Sequence, residues 1–181
     1  MIWKGLPKDS FWYEIPKNGS WSIKMRYKKL KDSTKTPISA DDKIYIIWRH
    51  PESRFMSVFS HYFLEEGGRF TLTQDYFKQH GIEIKKIPIK DRIDLCLNNL
   101  FLFDSTMEVH HFYPQTYFIN QKYKDNFEII DIRNISKLLG VKSLNSTPKK
   151  RFKEIEFTDI HLEKIREIYR DDYKFMEKMG L

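Results

Sequence analysis

Cysteine, alanine and long apolar runs are what this chain has least of. One cysteine, Cys96, stands among 181 residues, so an intrachain disulfide framework is excluded. It sits with Ile93, Leu95, Leu97 and Leu100 in an apolar helical pattern, where a free thiol behaves as a small, inert core residue. No run approaches bilayer-spanning length, and Met1 to Tyr13 mixes Lys4, Lys8 and Asp9 with aromatics in place of an apolar leader core. The expectation is a soluble, cytoplasmic protein with no membrane partner. Gly-x4-Gly-Lys-Ser/Thr is absent, so triphosphate hydrolysis of the P-loop NTPase kind is not supported. Internal repeats and low-complexity segments are absent as well. Ala40 is the only alanine, while Lys, Ile, Asn, Phe and Tyr abound, the bias an AT-rich coding sequence leaves.

That bias bears on the charge. Thirty-two Lys and Arg against 25 Asp and Glu leave a net charge of +7, which suits an anionic partner such as nucleic acid, an acidic polysaccharide or a nucleotide. Compositional drift toward lysine accounts for the excess equally well, so nucleic acid is not the expected partner. The length allows one sizeable core and a single domain over residues 1–181.

Three short apolar runs read as strands: Phe11 to Ile15, Lys43 to Trp48 and Phe127 to Ile132. The second is nearly continuous, as in a parallel-sheet strand buried on both faces. Helical periodicity predicts helices over Ser20 to Leu30, Glu52 to Glu65 (stopped by Gly67 and Gly68), Thr71 to His80 and Lys90 to Phe103. A short helix ends at Gly140, and one long helix runs from Thr158 to Met179. Lys31 to Asp42 is polar, carries Pro37 and reads as a surface connection. Strands alternating with helices predict an α/β fold, a small central parallel sheet flanked by helices, with ligand sites at the strands' carboxyl ends.

At two of those ends the chain concentrates anion-binding groups. Ile15-Pro16-Lys17-Asn18-Gly19-Ser20-Trp21-Ser22 leaves the first strand and Arg49-His50-Pro51-Glu52-Ser53-Arg54-Phe55-Met56-Ser57 leaves the second. Each leads into a helix whose unpaired N–H groups and partial positive charge favour phosphate or sulfate. Glycine permits close backbone approach and Lys17 supplies charge, although a lysine in a turn is otherwise simply solvated. Arg49 ends a buried strand, where it needs an anion, either a phosphate or a neighbouring carboxylate. Ser57 stands out through its pairing with Arg49, since a helix hydroxyl is otherwise solvated or back-bonded. Arg54 reads as a structural ion pair, and His80 and His161 as surface residues.

The order and spacing of these residues resemble the sulfotransferases that use 3′-phosphoadenosine 5′-phosphosulfate, especially the carbohydrate branch. That family has a Pro-Lys-x-Gly-Ser-x-Ser loop for the 5′-phosphosulfate and an Arg-x-Pro-x-x-Arg-x-x-Ser segment for the 3′-phosphate. His110-His111-Phe112-Tyr113-Pro114-Gln115 and Ile168-Tyr169-Arg170-Asp171-Asp172-Tyr173 are similar to further family runs. The resemblance implies a P-loop-like three-layer fold and sulfuryl transfer to a hydroxyl or amine, with a glycan or small-molecule acceptor. It gives the donor to Pro16, Lys17, Asn18, Gly19, Ser20, Trp21, Ser22, Arg49 and Ser57, with a late basic loop, Lys150 and Arg151, closing over it. 3′-Phosphoadenosine 5′-phosphate would be the product, and no metal is implied. Lys17 would stabilise the leaving phosphate. The chain departs from the family at His50, where Asp is usual, and residues 23 to 48 hold no His or Glu to serve as base. His111, with His110 as substitute, is the expected base, and His61, Glu14 and Asp42 stay open. Two other classes remain: an ATP-dependent small-molecule kinase of related topology, and a non-catalytic polyanion- or nucleic-acid-binding domain.

Overall fold

Five strands form one mixed sheet among the described residues. They are β1 (Ile2–Gly5), β2 (Ser10–Tyr13), β3 (Lys31–Asp32), β4 (Ile44–Trp48) and β5 (Phe127–Asp131), in the spatial order β3-β1-β2-β4-β5. The computed structural model that places them describes residues 2–5, 10–13, 15–18, 31–32, 39, 41–65, 67–100, 109–119, 127–135, 137 and 155–181. The chain divides into two compact units. One comprises Met1–Arg49, Gln115–Ser146 and Lys178–Leu181, and the other His50–Pro114 and Thr147–Glu177.

The sheet belongs to the first unit. Its three expected strands, β2, β4 and β5, run parallel, with Tyr13 opposite Ile46 and Trp48 opposite Asp131. The α/β class follows from these strands and the helices below. β1 and β3 add antiparallel pairs at one edge, so the sheet is mixed where a parallel one was expected, and Lys31–Asp32 is a strand where a surface connection was expected. β4 is apolar throughout because both its faces are covered. Ile44, Ile46 and Trp48 point one way and are buried, while Ile47 packs on the other face with Trp12, Tyr45 and Ile130. The Trp12 and Tyr45 rings are 5.0 Å apart.

Five helices lie among the described residues, all in the second unit but for the last two residues of α5: α1 (Pro51–Tyr62), α2 (Phe70–Gln79), α3 (Ile89–Asn99), α4 (Asp159–Ile168) and α5 (Arg170–Met179). α1 begins with Pro51, whose missing N–H costs nothing at a first helical position, and buries Phe55, Val58, Phe59 and Tyr62 at helical spacing. It stops before Gly67, where a Cβ would collide with the carbonyl oxygens of Ser60 and His61. The core gathers these side chains with Phe77 of α2, Ile93 and Cys96 of α3, Ile165 of α4, Phe112 and Tyr169. Cys96 is fully buried, and burial pushes its thiol pKa well up, as expected of an inert core thiol.

Two expectations are overturned here. The terminal helix breaks at Tyr169, whose buried hydroxyl donates to the Phe112 carbonyl (2.9 Å) while its backbone leaves helical geometry at φ −102°, ψ 25°. His161 is buried, not a surface residue. Its Nδ1 accepts the Thr158 N–H, its own N–H is bonded by the Thr158 hydroxyl, and Nε2 lies 3.3 Å from Asp94, so it serves as half of a capping box. His80 is exposed, as expected. No helix among the described residues is long and apolar enough to cross a membrane. The expected helix over 20–30, residues 101–103 of the helix placed at 90–103, and residues 138–140 lie outside the described residues.

Candidate functional site

Within the first unit, the carboxyl ends of β2 and β4 are joined through side chains. After β2 the chain buries Ile15 and turns through Pro16 and Lys17, closing with the Asn18 N–H on the Ile15 carbonyl (3.2 Å). Proline in the first central position and positive φ in the second are the marks of a type II turn. The residue at positive φ is Lys17, at +67°, where glycine or asparagine would be the less strained choice. A left-handed conformation costs a side-chain-bearing residue about 1–2 kcal/mol, and such strain concentrates at binding sites.

β4 then presents an edge that β2 has left. Phe11 N–H donates to the Lys43 carbonyl (3.4 Å), so the odd-numbered peptides of this strand face β2. Pairing with β2 ends at Tyr13 opposite Ile46, which leaves the Ile47 carbonyl and the Arg49 peptide beyond the last ladder bond on that side. Two buried side-chain amides meet them instead. Asn18 Nδ2 donates to the Ile47 carbonyl (2.7 Å) and to Gln115 Oε1. Gln115 accepts the Arg49 N–H at Oε1 (3.1 Å) and returns Nε2–H to the Arg49 carbonyl (2.7 Å). Both protons of Asn18 Nδ2 are thereby engaged, which fixes the orientation of its amide. Its Oδ1 is buried and accepts no hydrogen bond from the described residues. The Arg49 guanidinium closes the assembly by donating through Nη1 to the Lys17 carbonyl (3.2 Å). The Arg49 guanidinium thus meets the backbone of Lys17, and Pro16 and Asn18 complete the turn that carries that lysine.

The histidine segment lies in the second unit, where three hydrogen bonds fix it. Tyr62 Oη is 2.7 Å from His111 Nδ1, Tyr169 holds the Phe112 carbonyl, and Arg54 Nη1 donates to the Tyr113 carbonyl (2.7 Å). Arg54 is fully buried. Burial lowers its pKa from the ordinary arginine value, while Tyr169 and Asp172 pull it back up. Burial likewise pushes the Tyr169 hydroxyl pKa well up. His110 is exposed, with its ring 4.5 Å from that of His111. Ser57 is buried on α1, its carbonyl accepting the Ser60 hydroxyl (3.2 Å). His61 is half-buried with its ring edge-on to Tyr62, and the exposed His50 meets the Tyr173 ring in the same way.

No family model, curated protein or solved structure matches the chain. The chemistry therefore has to be read from the residues themselves. Lys17, Asn18 and Arg49 are brought together in one unit. The motif that begins with Arg49 ends with Ser57 in the other unit, and the run that begins with His110 and His111 in that unit ends with Gln115 in the first. Gly19, Ser20, Trp21, Ser22, Lys150, Arg151 and Glu14 lie outside the described residues. In the sequence Gln115 stands out only as the end of the run from His110. Its signal was a strongly polar amide directly after an aromatic and proline stretch, where a buried amide must find backbone partners.

Proposed function

We propose that the chain is a sulfotransferase, moving the sulfuryl group of 3′-phosphoadenosine 5′-phosphosulfate to a hydroxyl or amine of a carbohydrate or other small acceptor, within a P-loop-like three-layer α/β fold. Sulfuryl transfer is in-line and loose, so catalysis is mostly positioning and neutralisation of charge on the leaving phosphate. Lys17 takes that second role, with the backbone from Gly19 to Ser22 around the 5′ end. Arg49 selects the 3′-phosphate. His111 is the base at Nε2, which requires Nδ1–H to donate to the Tyr62 oxygen so that the Nε2 lone pair is left for the acceptor proton.

The observation that carries the reading is the turn at Lys17. A lysine is held at positive φ where a parallel strand ends, with the Arg49 guanidinium on its carbonyl. An arginine and a lysine carried at adjoining strand carboxyl ends suit a ligand with two anionic groups. Calorimetric titration with 3′-phosphoadenosine 5′-phosphate, 5′-AMP and ATP tests it. The bisphosphate should bind far best, and Arg49→Ala should weaken it by about ten-fold or more, the worth of one charge-assisted pair. Equal affinity for the bisphosphate and AMP sinks the assignment, and a preference for ATP turns it toward the kinase.

A further inference from the structure

Resting on the donor-binding reading above, we infer that Gln115 is a positioning residue of the site, a buried group that helps tie the two candidate anion-binding strand ends to each other. Its Oε1 accepts both the Arg49 N–H and Asn18 Nδ2, so one buried oxygen joins the residue that carries the second cation to the neighbour of the first. Its Nε2 holds the Arg49 carbonyl as well. With both polar groups of the Arg49 peptide taken by one planar amide, the direction in which the Arg49 side chain leaves the backbone is set. That direction brings the guanidinium to the Lys17 carbonyl.

The place is one where sheet pairing alone would leave polar groups unmet, because β2 has turned away at Pro16 while β4 continues to Trp48. A structural plug would need only to satisfy those groups. Gln115 also connects them to Asn18, and through it to the strained turn at Lys17. The role therefore belongs to recognition of the 3′-phosphate, acting through Arg49 and not by contact with the nucleotide.

The test uses the full chain and two substitutions. Gln115→Met keeps volume and burial but makes no hydrogen bonds. It should speed amide exchange at Arg49 and cut the preference for 3′-phosphoadenosine 5′-phosphate over AMP by about ten-fold. Gln115→Glu supplies both bonds only when its carboxyl is protonated, one oxygen accepting from Arg49 N–H and the hydroxyl donating to the Arg49 carbonyl. Measured against wild type at the same pH, its preference should be lost near about pH 8 and recovered near about pH 5. That recovery is beyond a purely structural role and stays readable if Gln115→Met does not fold. A Gln115→Met protein that keeps the wild-type preference, or a Gln115→Glu protein whose deficit does not depend on pH, overturns the positioning role alone. A wild type that binds the two nucleotides equally overturns the donor reading and this inference with it.

Discussion

Lys17 illustrates how a single residue can set local stability against function. Its φ of +67° is a conformation that glycine adopts without steric cost, and the chain has a glycine two positions later, yet lysine occupies the strained place. Lys17→Gly should relieve about 1–2 kcal/mol of left-handed strain, partly offset by about 0.5–1 kcal/mol of unfolded-chain entropy. The variant should therefore be as stable as wild type or slightly more so, while losing nucleotide affinity with the charge. Lys17→Ala should lose the affinity and keep the strain. Urea melts and calorimetry on the two variants separate the terms, and a Lys17→Gly protein clearly less stable than Lys17→Ala would show that the turn is not strained in solution. Lysine and arginine at strand ends were legible in the sequence because charge beside an apolar run is conspicuous. Gln115 was not, since its partners, the Arg49 peptide and the Asn18 amide, lie 66 and 97 positions away in the chain, and neither was His161, whose neighbours Asp159, Glu163 and Lys164 suggest a solvated helix end.

Among the elements, the parallel strands were legible and the edges were not. An unbroken apolar run such as Ile44–Trp48 carries its own signal, whereas β3 is two residues long and exists only through its pairing with β1. The break between α4 and α5 was hidden for a related reason. The apolar period runs through Tyr169 without a gap, and the interruption coincides with a tertiary bond to Phe112. That bond has a pH consequence. Burial raises the pKa of both Cys96 and Tyr169, so the folded chain keeps two protons that the unfolded chain releases above about pH 8.5 and 10. The unfolded state then binds fewer protons, and stability falls as pH rises, by about 1.4 kcal/mol per pH unit for each group fully titrated in the unfolded chain. Tyr169→Phe should be less stable than wild type by about 1–3 kcal/mol at neutral pH, because the buried Phe112 carbonyl loses its donor. It should then decline less steeply above about pH 10, so that the two stability curves converge. Denaturant melts across that range give the answer, and parallel curves would mean that Tyr169 does not hold its proton in the folded state.

For the molecule as a whole the open choice is between a site and a charge. A net +7 attracts any polyanion, and a domain that worked by charge alone would hold duplex DNA through released counterions. Such binding is steeply salt-dependent: neutralising about six phosphates costs about 10³ in affinity between about 50 and 200 mM salt. A preference for 3′-phosphoadenosine 5′-phosphate over AMP behaves differently, because it is a ratio in which general screening largely cancels and what remains comes from local, charge-assisted contacts such as those expected of Arg49. DNA affinity should therefore be weak and vanish over that range, while the nucleotide ratio stays at about ten or above. Arg49→Ala, which removes one charge of the surplus, should abolish the ratio and barely change the DNA slope, since one lysine or arginine contributes at most about one unit to it. Fluorescence anisotropy with labelled duplex, run beside the nucleotide titrations at both salt concentrations, distinguishes the cases. Tight DNA binding with a nucleotide ratio near one would replace the sulfotransferase with the polyanion-binding domain. A steady ratio that Arg49→Ala removes would place the function at the strand ends, with the surface charge as background.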